Sequence, residues 1–140
     1  MNNPRVPQPT VEFRHRTPIQ KRFADIDMFG HVNNGAYLQY ADTAKFAFFT
    51  ELMDEPFDPA ALGLVIASVK CDFYAQTFMK DKIEVLTAVT HIGNTSLNLE
   101  QRIVDTDGNV HAIVTSVMVQ FDPATGLPVP ISDTWRSKLM

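Results

Sequence analysis

The chain has 140 residues, of which 45% are hydrophobic and 20% charged, and its formal net charge is -4. These values are typical of one globular domain and unlike those of a disordered chain. The twelve basic residues are scattered, which argues against nucleic acid or an anionic membrane as a partner. The single cysteine, Cys71, excludes an internal disulfide framework and favours a reducing compartment. Because the sequence also lacks a membrane-length apolar run and a signal-peptide pattern, we predict a cytoplasmic protein.

The amino-terminal third predicts an arm, a short strand and one long helix. Residues 1–17 hold three prolines and little periodicity, so we predict a flexible arm there and a single domain over residues 18–140. Residues 18–23 form a short extended segment. Asn33, Asn34 and Gly35 are a plausible helix start, because short polar side chains can cap free backbone N–H groups. Residues 36–53 are apolar nearly all round, apart from a polar stripe that includes Asp42 and Lys45, which predicts a largely buried helix.

The rest of the chain has the two-residue period of β-strands. The predicted strands cover residues 64–77, 82–92, 96–105 and 110–121. Gly93-Asn94 and Asp107-Gly108 predict hairpin turns between the last three strands. Short connections imply an antiparallel sheet, to which residues 18–23 add a fifth strand. One apolar helix needs cover that a curved sheet can supply, so the predicted fold class is α+β, with a curved five-stranded antiparallel sheet wrapped around one long central helix.

A long motif precedes the predicted helix. Residues 22–37 read RFADIDMFGHVNNGAY and match the pattern R-[FY]-x-D-x-D-x-x-G-H-V-N-N-x-x-Y at every fixed position. In this the chain resembles the hotdog-fold thioesterases of the 4-hydroxybenzoyl-CoA thioesterase type. Gly93-Asn94-Thr95-Ser96 lies where that family has its Gly-x-x-Ser turn, and residues 121–128 resemble the family ending F-D-x-x-T-G-x-P. The resemblance covers about residues 17–131 and implies the hotdog fold.

The resemblance also implies a reaction, the hydrolysis of an acyl-CoA thioester to the free acid and CoA, with no metal or other cofactor. In the family the second aspartate of the D-x-D pair is catalytic, which here is Asp27, and the backbone N–H that polarises the thioester carbonyl falls at Asn34. Free N–H groups at a helix start suit this role, because the carbonyl oxygen gathers negative charge as it is attacked. Asp27 could act as a nucleophile or as a general base on water, and the sequence leaves both open.

Other residues of the motif have both structural and functional interpretations. Asp25 is as well suited to hold the loop as to touch substrate. His31, a candidate catalytic residue, could orient the carboxylate or the loop, or be a structural histidine. Gly30 is predicted to allow a backbone conformation or a close approach that other residues resist, beside the substrate. A metal site formed by Asp25, Asp27 and His31 is disfavoured, because no second group of ligands accompanies them.

Further candidates for substrate binding lie beyond the motif. Tyr37 is predicted to be a core residue at the pocket edge. Asp42 could line the acyl pocket or pair with Lys45, since a carboxylate on a buried helix needs a partner or a cavity. The CoA moiety is predicted to contact the turn formed by Gly93, Asn94, Thr95 and Ser96, for which a plain hairpin turn is the alternative.

Self-association and three rival functions complete the predictions. Apolar residues of the last strand, Val117, Val119 and Phe121, predict burial against a second copy, so we expect a homodimer or homotetramer. An acyl-ACP thioesterase is one alternative, although no basic docking patch is evident. A non-catalytic acyl-CoA-binding hotdog protein is another, and the presence of Asp27 argues against it. A hotdog dehydratase is disfavoured because the predicted helix has no histidine.

Overall fold

The computed structural model of the protein describes residues 3–53 and 63–139. Its strands are β1 (His15–Ile19), β2 (Leu64–Phe73), β3 (Ile83–Ile92), β4 (Ser96–Asp105) and β5 (Val110–Gln120). Its helices are a 3-10 turn (Phe23–Asp25), α1 (Asn34–Leu52) and α2 (Asp133–Leu139). The strands form one antiparallel sheet in the order β1-β3-β4-β5-β2. The predicted hotdog fold, a curved five-stranded sheet with a long helix packed against it, is therefore confirmed.

Helix α1 is buried along one stripe only, which corrects the prediction of a largely buried helix. Its buried residues recur at helical spacing: Ala36, Tyr37, Tyr40, Ala41, Ala44, Lys45, Phe48 and Phe49. The opposite face leaves Leu38 and Phe46 exposed, Phe46 by 52%. An open sheet covers a helix from one side, so the apolar residues of the far side remain uncovered within one chain. Lys45, predicted in the polar stripe, is buried instead.

Two apolar clusters join α1 to the sheet. The first, around the amino-terminal half of the helix, includes Tyr37, Tyr40, Val85 and Ile103. The second, around its carboxyl-terminal half, includes Phe49, Leu97, Leu99 and Met118, with Leu139 of α2. Burial of such side chains stabilises the fold by about 1.5–3 kcal/mol each. None of the helices in the described ranges is long and apolar enough to cross a membrane.

The ends of several elements differ from the prediction. Strand β1 begins at His15, because residues 15–19 pair with β3, so the predicted boundary of the arm at Thr17 falls inside a strand. Residues before β1 also contact the sheet, since Arg102 Nη2 of β4 donates to Pro7 O at 2.9 Å. Strand β2 ends at Phe73, where the chain turns so that Tyr74 N donates to His111 O. Helix α2 was not predicted.

Candidate active site

The segment between the 3-10 turn and α1 forms a tight turn around Gly30. Gly30 N donates to Asp27 O at 3.1 Å, and Gly30 has a φ of +83°. A side chain at this position would meet no atom within 4 Å, so the backbone conformation, rather than space, calls for glycine. The predicted conformational role of Gly30 is confirmed.

The carboxylate of Asp27 is anchored through one of its two oxygens. Oδ1 accepts from Phe29 N at 2.9 Å and from His31 N at 3.3 Å. The backbone N–H of Asp27 donates to His31 O at 2.8 Å, which closes the turn. No group in the described ranges donates to Oδ2, and the residue is half-buried. One carboxylate oxygen of Asp27, Oδ1, is therefore hydrogen-bonded within the turn, and Oδ2 can accept a further hydrogen bond or contact a ligand.

The start of α1 lies directly after this turn. Asn33 Oδ1 accepts from Ala36 N at 2.9 Å, so Asn33 is the N-cap residue. Asn33 also donates to Asp25 O from its backbone N and from Nδ2, which ties the loop to the helix start. The N–H groups of Asn34 and Gly35 belong to the first turn, where an α-helix offers no internal acceptor, and both residues are exposed. Two donors at the positive end of the helix dipole are thus available.

Asp25 is a structural residue, which resolves the alternatives left open by the sequence. Its side chain is 1% exposed, and both of its oxygens accept hydrogen bonds. Arg22 donates from its backbone N and from its guanidinium, and the Tyr40 hydroxyl donates to Oδ2 at 2.7 Å. Burial alone would raise the pKa of Asp25, but these hydrogen bonds outweigh it and lower the pKa below its usual range. Burial and the bond to Asp25 together raise the pKa of Tyr40.

The ring of His31 contacts aromatic side chains rather than the carboxylate. It stacks on Phe29 with ring centroids 6.4 Å apart and meets Phe78 edge-on at 5.4 Å. Only the backbone of His31 is hydrogen-bonded to Asp27, its N–H to Oδ1 and its carbonyl to the Asp27 N–H. Among the described residues, neither ring nitrogen of His31 has a hydrogen-bond partner. The arrangement orients the loop through the backbone of His31.

Tyr37 is buried in the core. Its hydroxyl donates to Thr77 Oγ1 at 2.9 Å, and its ring meets Phe73 edge-on with centroids 5.3 Å apart. Burial raises the pKa of Tyr37. Thr77 belongs to the segment between β2 and β3, and its carbonyl accepts from Val32 N at 2.8 Å. Sequence reasoning missed Thr77, because a lone threonine in a predicted strand carries no recognisable signal.

Asp42 lies on the exposed face of α1, not on a buried one. Its side chain is 67% exposed, and its Oδ1 lies 3.6 Å from Lys45 Nζ, which is the predicted ion pair. Burial lowers the pKa of Lys45, although Asp42 partly offsets this effect. Asp42 lines a shallow groove of about 520 Å³ together with Pro18, Gln39 and other residues, none of them from the Asp27 turn.

The turn formed by Gly93, Asn94, Thr95 and Ser96 is far from Asp27 within one chain. It joins β3 to β4, and β4 then runs ten residues, about 30 Å, towards the opposite end of the sheet. Thr77 lies at that opposite end, where its hydroxyl contacts His111. Arg136 of α2 donates to the carbonyls of Gly93 and Asn94. The predicted hairpin is confirmed, but one chain does not bring this turn and Asp27 together.

A larger groove, of about 730 Å³, lies elsewhere on the molecule. It is lined by β1, β3 and the carboxyl-terminal ends of α1 and α2, including His15, Phe48 and Thr87. Its lining contains no residue of the Asp27 turn. Within the described ranges, no group of three or more His, Cys, Asp or Glu side chains is arranged to hold a metal ion.

Comparison with a family model identifies the group to which this architecture corresponds. The model described as the Thioesterase-like superfamily matches residues 21–139, which includes the Asp27 turn, α1 and strands β2 to β5. Among curated relatives, Acyl-CoA thioester hydrolase YbgC of Escherichia coli O157:H7 is 26% identical over 114 residues, which cover 77% of this chain and 82% of that protein.

Solved structures show the same fold. A predicted thioesterase from Bacillus stearothermophilus is 31% identical, with a TM-score of 0.82 over 89% of this chain and 92% of that one. A thioesterase complexed with coenzyme A and Zn from Thermus thermophilus is 25% identical, with a TM-score of 0.81 over 91% of this chain and 92% of that one.

Proposed function

Because the chain belongs to the thioesterase-like superfamily and is a thioester hydrolase, we propose that it hydrolyses an acyl-CoA and that Asp27 carries the reaction. The observation behind this proposal is the pairing of two features within nine residues, Asp27 to Gly35. Asp27 keeps one carboxylate oxygen without a partner in the described ranges, and Asn34 and Gly35 offer free N–H groups at the start of α1. A carbonyl placed between these features would be polarised and attacked at the same site.

Each feature has a separate part in the proposed mechanism. As the thioester carbonyl is attacked, its oxygen becomes negative, and the N–H groups of Asn34 and Gly35 stabilise it without reorganising. Asp27 either attacks the carbonyl carbon through Oδ2, forming an anhydride that water then cleaves, or removes a proton from the attacking water. In both routes the C–S bond breaks and CoA leaves as the thiol. His31 and Gly30 contribute by holding the turn that carries Asp27.

The relatives support coenzyme A as the carrier of the acyl group in the proposed substrate. The Escherichia coli relative is named for acyl-CoA thioester hydrolysis, and the Thermus thermophilus structure contains coenzyme A. An acyl-ACP thioester remains the alternative substrate. The cytoplasmic location stays a prediction from the sequence.

We further propose that two chains pair through β2 and complete each other's site. Strand β2 is an edge strand, paired on one side with β5, and its apolar residues Val65, Ile66, Val69 and Phe73 are 42–46% exposed. An exposed edge strand of ten residues that carries these apolar side chains is a template for pairing with another chain. The Asp27 turn adds exposed apolar side chains, Met28 and Phe29. Association of two such dimers into a homotetramer would leave this pairing through β2 unchanged.

Antiparallel pairing of two β2 strands would bring residues 93–96, the predicted CoA contacts, close to Asp27 of the other subunit. The Leu64 end of β2 lies beside Gln120, whose N–H donates to Thr95 O. The Phe73 end lies against Tyr37, in the first turn of α1. A two-fold axis through β2 places the Leu64 end of one subunit beside the Phe73 end of the other. Residues 93–96 of one subunit would then approach the Asp27 turn of its partner.

A hydrolysis panel tests the proposed activity. We expect release of free CoA thiol from at least one member of a series that runs from short to long fatty acyl-CoAs and includes aryl-CoAs. Acyl-ACP substrates tested in parallel distinguish the two carriers. Binding of acyl-CoA without turnover of any acyl-CoA would overturn the proposed activity.

A further inference from the structure

Thr77 is hydrogen-bonded to both halves of the proposed site. Its side chain is fully buried, at 0% exposure. Its carbonyl accepts from Val32 N at 2.8 Å, in the loop that carries Asp27. Its hydroxyl oxygen accepts from the Tyr37 hydroxyl at 2.9 Å, in the first turn of α1. The loop with the carboxylate and the helix start with the N–H groups are thus fixed to one residue of a third segment.

The Thr77 hydroxyl is oriented by a buried histidine. Thr77 Oγ1 lies 2.7 Å from His111 Nδ1, and His111 Nε2 lies 3.0 Å from Asp105 Oδ2. Asp105 also accepts from Asp107 N, Asn109 N and Asn109 Nδ2, which holds its carboxylate in the β4–β5 hairpin. Burial would raise the pKa of Asp105, but the bond from His111 and the bonds from the hairpin lower it to about 2. Asp105 is therefore an ionised acceptor at neutral pH.

The ionised carboxylate determines the direction of the whole chain of hydrogen bonds. Because Asp105 only accepts, the neutral ring of His111 must carry its proton on Nε2, which leaves Nδ1 as an acceptor. The Thr77 hydroxyl then donates to Nδ1, and its oxygen is free to accept from Tyr37. Every group in the chain has a partner in this arrangement and in no other with a neutral ring. The Thr77 hydroxyl consequently has a single orientation.

We propose that Thr77, oriented by His111, is a positioning residue that sets the distance between the Asp27 carboxylate and the N–H groups of Asn34 and Gly35. This inference rests on the proposed function, since it concerns the two groups that act on the thioester. Thr77 touches neither of them directly and acts through Val32 and Tyr37. Catalytic rates are sensitive to such distances, because reacting groups must be held close to the productive geometry.

Three variants test the kinetic consequence. Thr77→Val keeps the side-chain shape and removes the hydroxyl, and Thr77→Ser restores a hydroxyl. Thr90→Val is the matched control, since Thr90 lies in the same sheet and its hydroxyl donates to Asn98 O at 3.3 Å. We expect Thr77→Val to lower kcat about 10- to 100-fold with little change in KM, Thr77→Ser to recover most of kcat, and Thr90→Val to match the wild type.

Nuclear magnetic resonance gives a readout that does not need turnover. ¹⁵N spectra of the wild-type protein should show a proton on Nε2 of the His111 ring and none on Nδ1. The backbone amide signals of Asn34 and Gly35 should shift in Thr77→Val and stay in place in Thr90→Val. Should Thr77→Val fail to fold, Tyr37→Phe removes only the bond at the helix side, and we expect the same fall in kcat and the same amide shifts.

The outcomes separate this inference from the proposed function. A wild-type protein that hydrolyses no acyl thioester overturns the function, whereas the tautomer and the amide shifts still test the positioning. A folded Thr77→Val variant with the kcat of Thr90→Val overturns the positioning role and leaves the function intact. A His111 proton on Nδ1, or Asn34 and Gly35 signals unmoved in Thr77→Val, also overturns it.

Discussion

Replacing Asp27 with asparagine separates its structural role from its chemical one. The asparagine retains an Oδ1 atom that can accept from Phe29 N and His31 N, the two bonds that Asp27 makes at 2.9 and 3.3 Å. It loses the negative charge and replaces Oδ2 with an amide nitrogen. The turn is therefore preserved. The carboxylate that would attack the carbonyl carbon, or take a proton from the attacking water, is removed.

The size of both effects follows from these contacts. Exchanging two charge-assisted hydrogen bonds for neutral ones costs about 1 kcal/mol of folding free energy. A positioned base contributes about 10²- to 10⁴-fold to a rate, so Asp27→Asn should lower kcat by that factor, or by about 3–5 kcal/mol in the activation free energy. Asp27→Ala should lower kcat similarly, but it also loses both bonds and should cost about 1–2 kcal/mol more in stability.

The assay combines thiol release under saturating acyl-CoA with urea unfolding of each variant. Asp122→Asn is the matched control, because Asp122 Oδ1 accepts from Ala124 N at 2.9 Å in a turn of the same kind that follows β5. We expect the control to retain the wild-type kcat. If Asp27→Asn hydrolysed acyl-CoA as fast as Asp122→Asn, the carboxylate would not be catalytic and Asp27 would be only a turn residue.

Three further substitutions test the hydrogen bonds of Asp25, the hairpin that contains Asp105 and the exposed edge of β2. Tyr40→Phe removes the 2.7 Å bond to buried Asp25 and should lower the free energy of unfolding in urea by about 1.5–3 kcal/mol. Asp105 has its pKa lowered from 3.8 to about 2, so it stabilises the fold above pH 3.8 and loses that contribution as the pH falls through 2. Asp105→Asn should therefore cost about 1–2 kcal/mol at pH 7, after allowance for solvent screening, and almost nothing at pH 2, as measured by urea unfolding at both pH values. Val69→Lys places a charge on the exposed edge of β2 and should convert dimers to monomers in size-exclusion chromatography with light scattering, and an unchanged mass would contradict pairing through β2.

The fold was predictable from the sequence because its signals are local. The alternation in residues 96–105 reproduces β4 at both ends, and the hairpin turn at Gly93-Asn94 requires only neighbouring residues. Helix α2 is short and takes its stability from tertiary contacts, such as Trp135 against Phe49 with ring centroids 6.0 Å apart. Contacts of this kind have no periodic signature in a seven-residue segment, which is why α2 was missed.

The geometry of the candidate site was predictable where the motif is continuous and not where it depends on distant segments. Asp27, Gly30 and Asn33 lie within seven residues, and their roles in the turn and the cap follow from local chemistry. Thr77 and His111 are 34 residues apart, and nothing in the sequence links them before the sheet is folded. Their bond exists because β2 and β5 pair, with Phe73 opposite Ala112.

The two aspartates of the motif show how environment divides one residue type into two roles. Asp25 and Asp27 are two positions apart, yet the 3-10 turn directs the Asp25 carboxylate to Arg22 and the Tyr40 hydroxyl, where both oxygens are occupied. A carboxylate with no available oxygen and a lowered pKa is a poor nucleophile and a poor base. Asp27 instead accepts only through Oδ1 from its own turn. Asp25 therefore fixes the loop on the helix, whereas Asp27 keeps one oxygen without a partner in the described ranges, as the proposed mechanism requires.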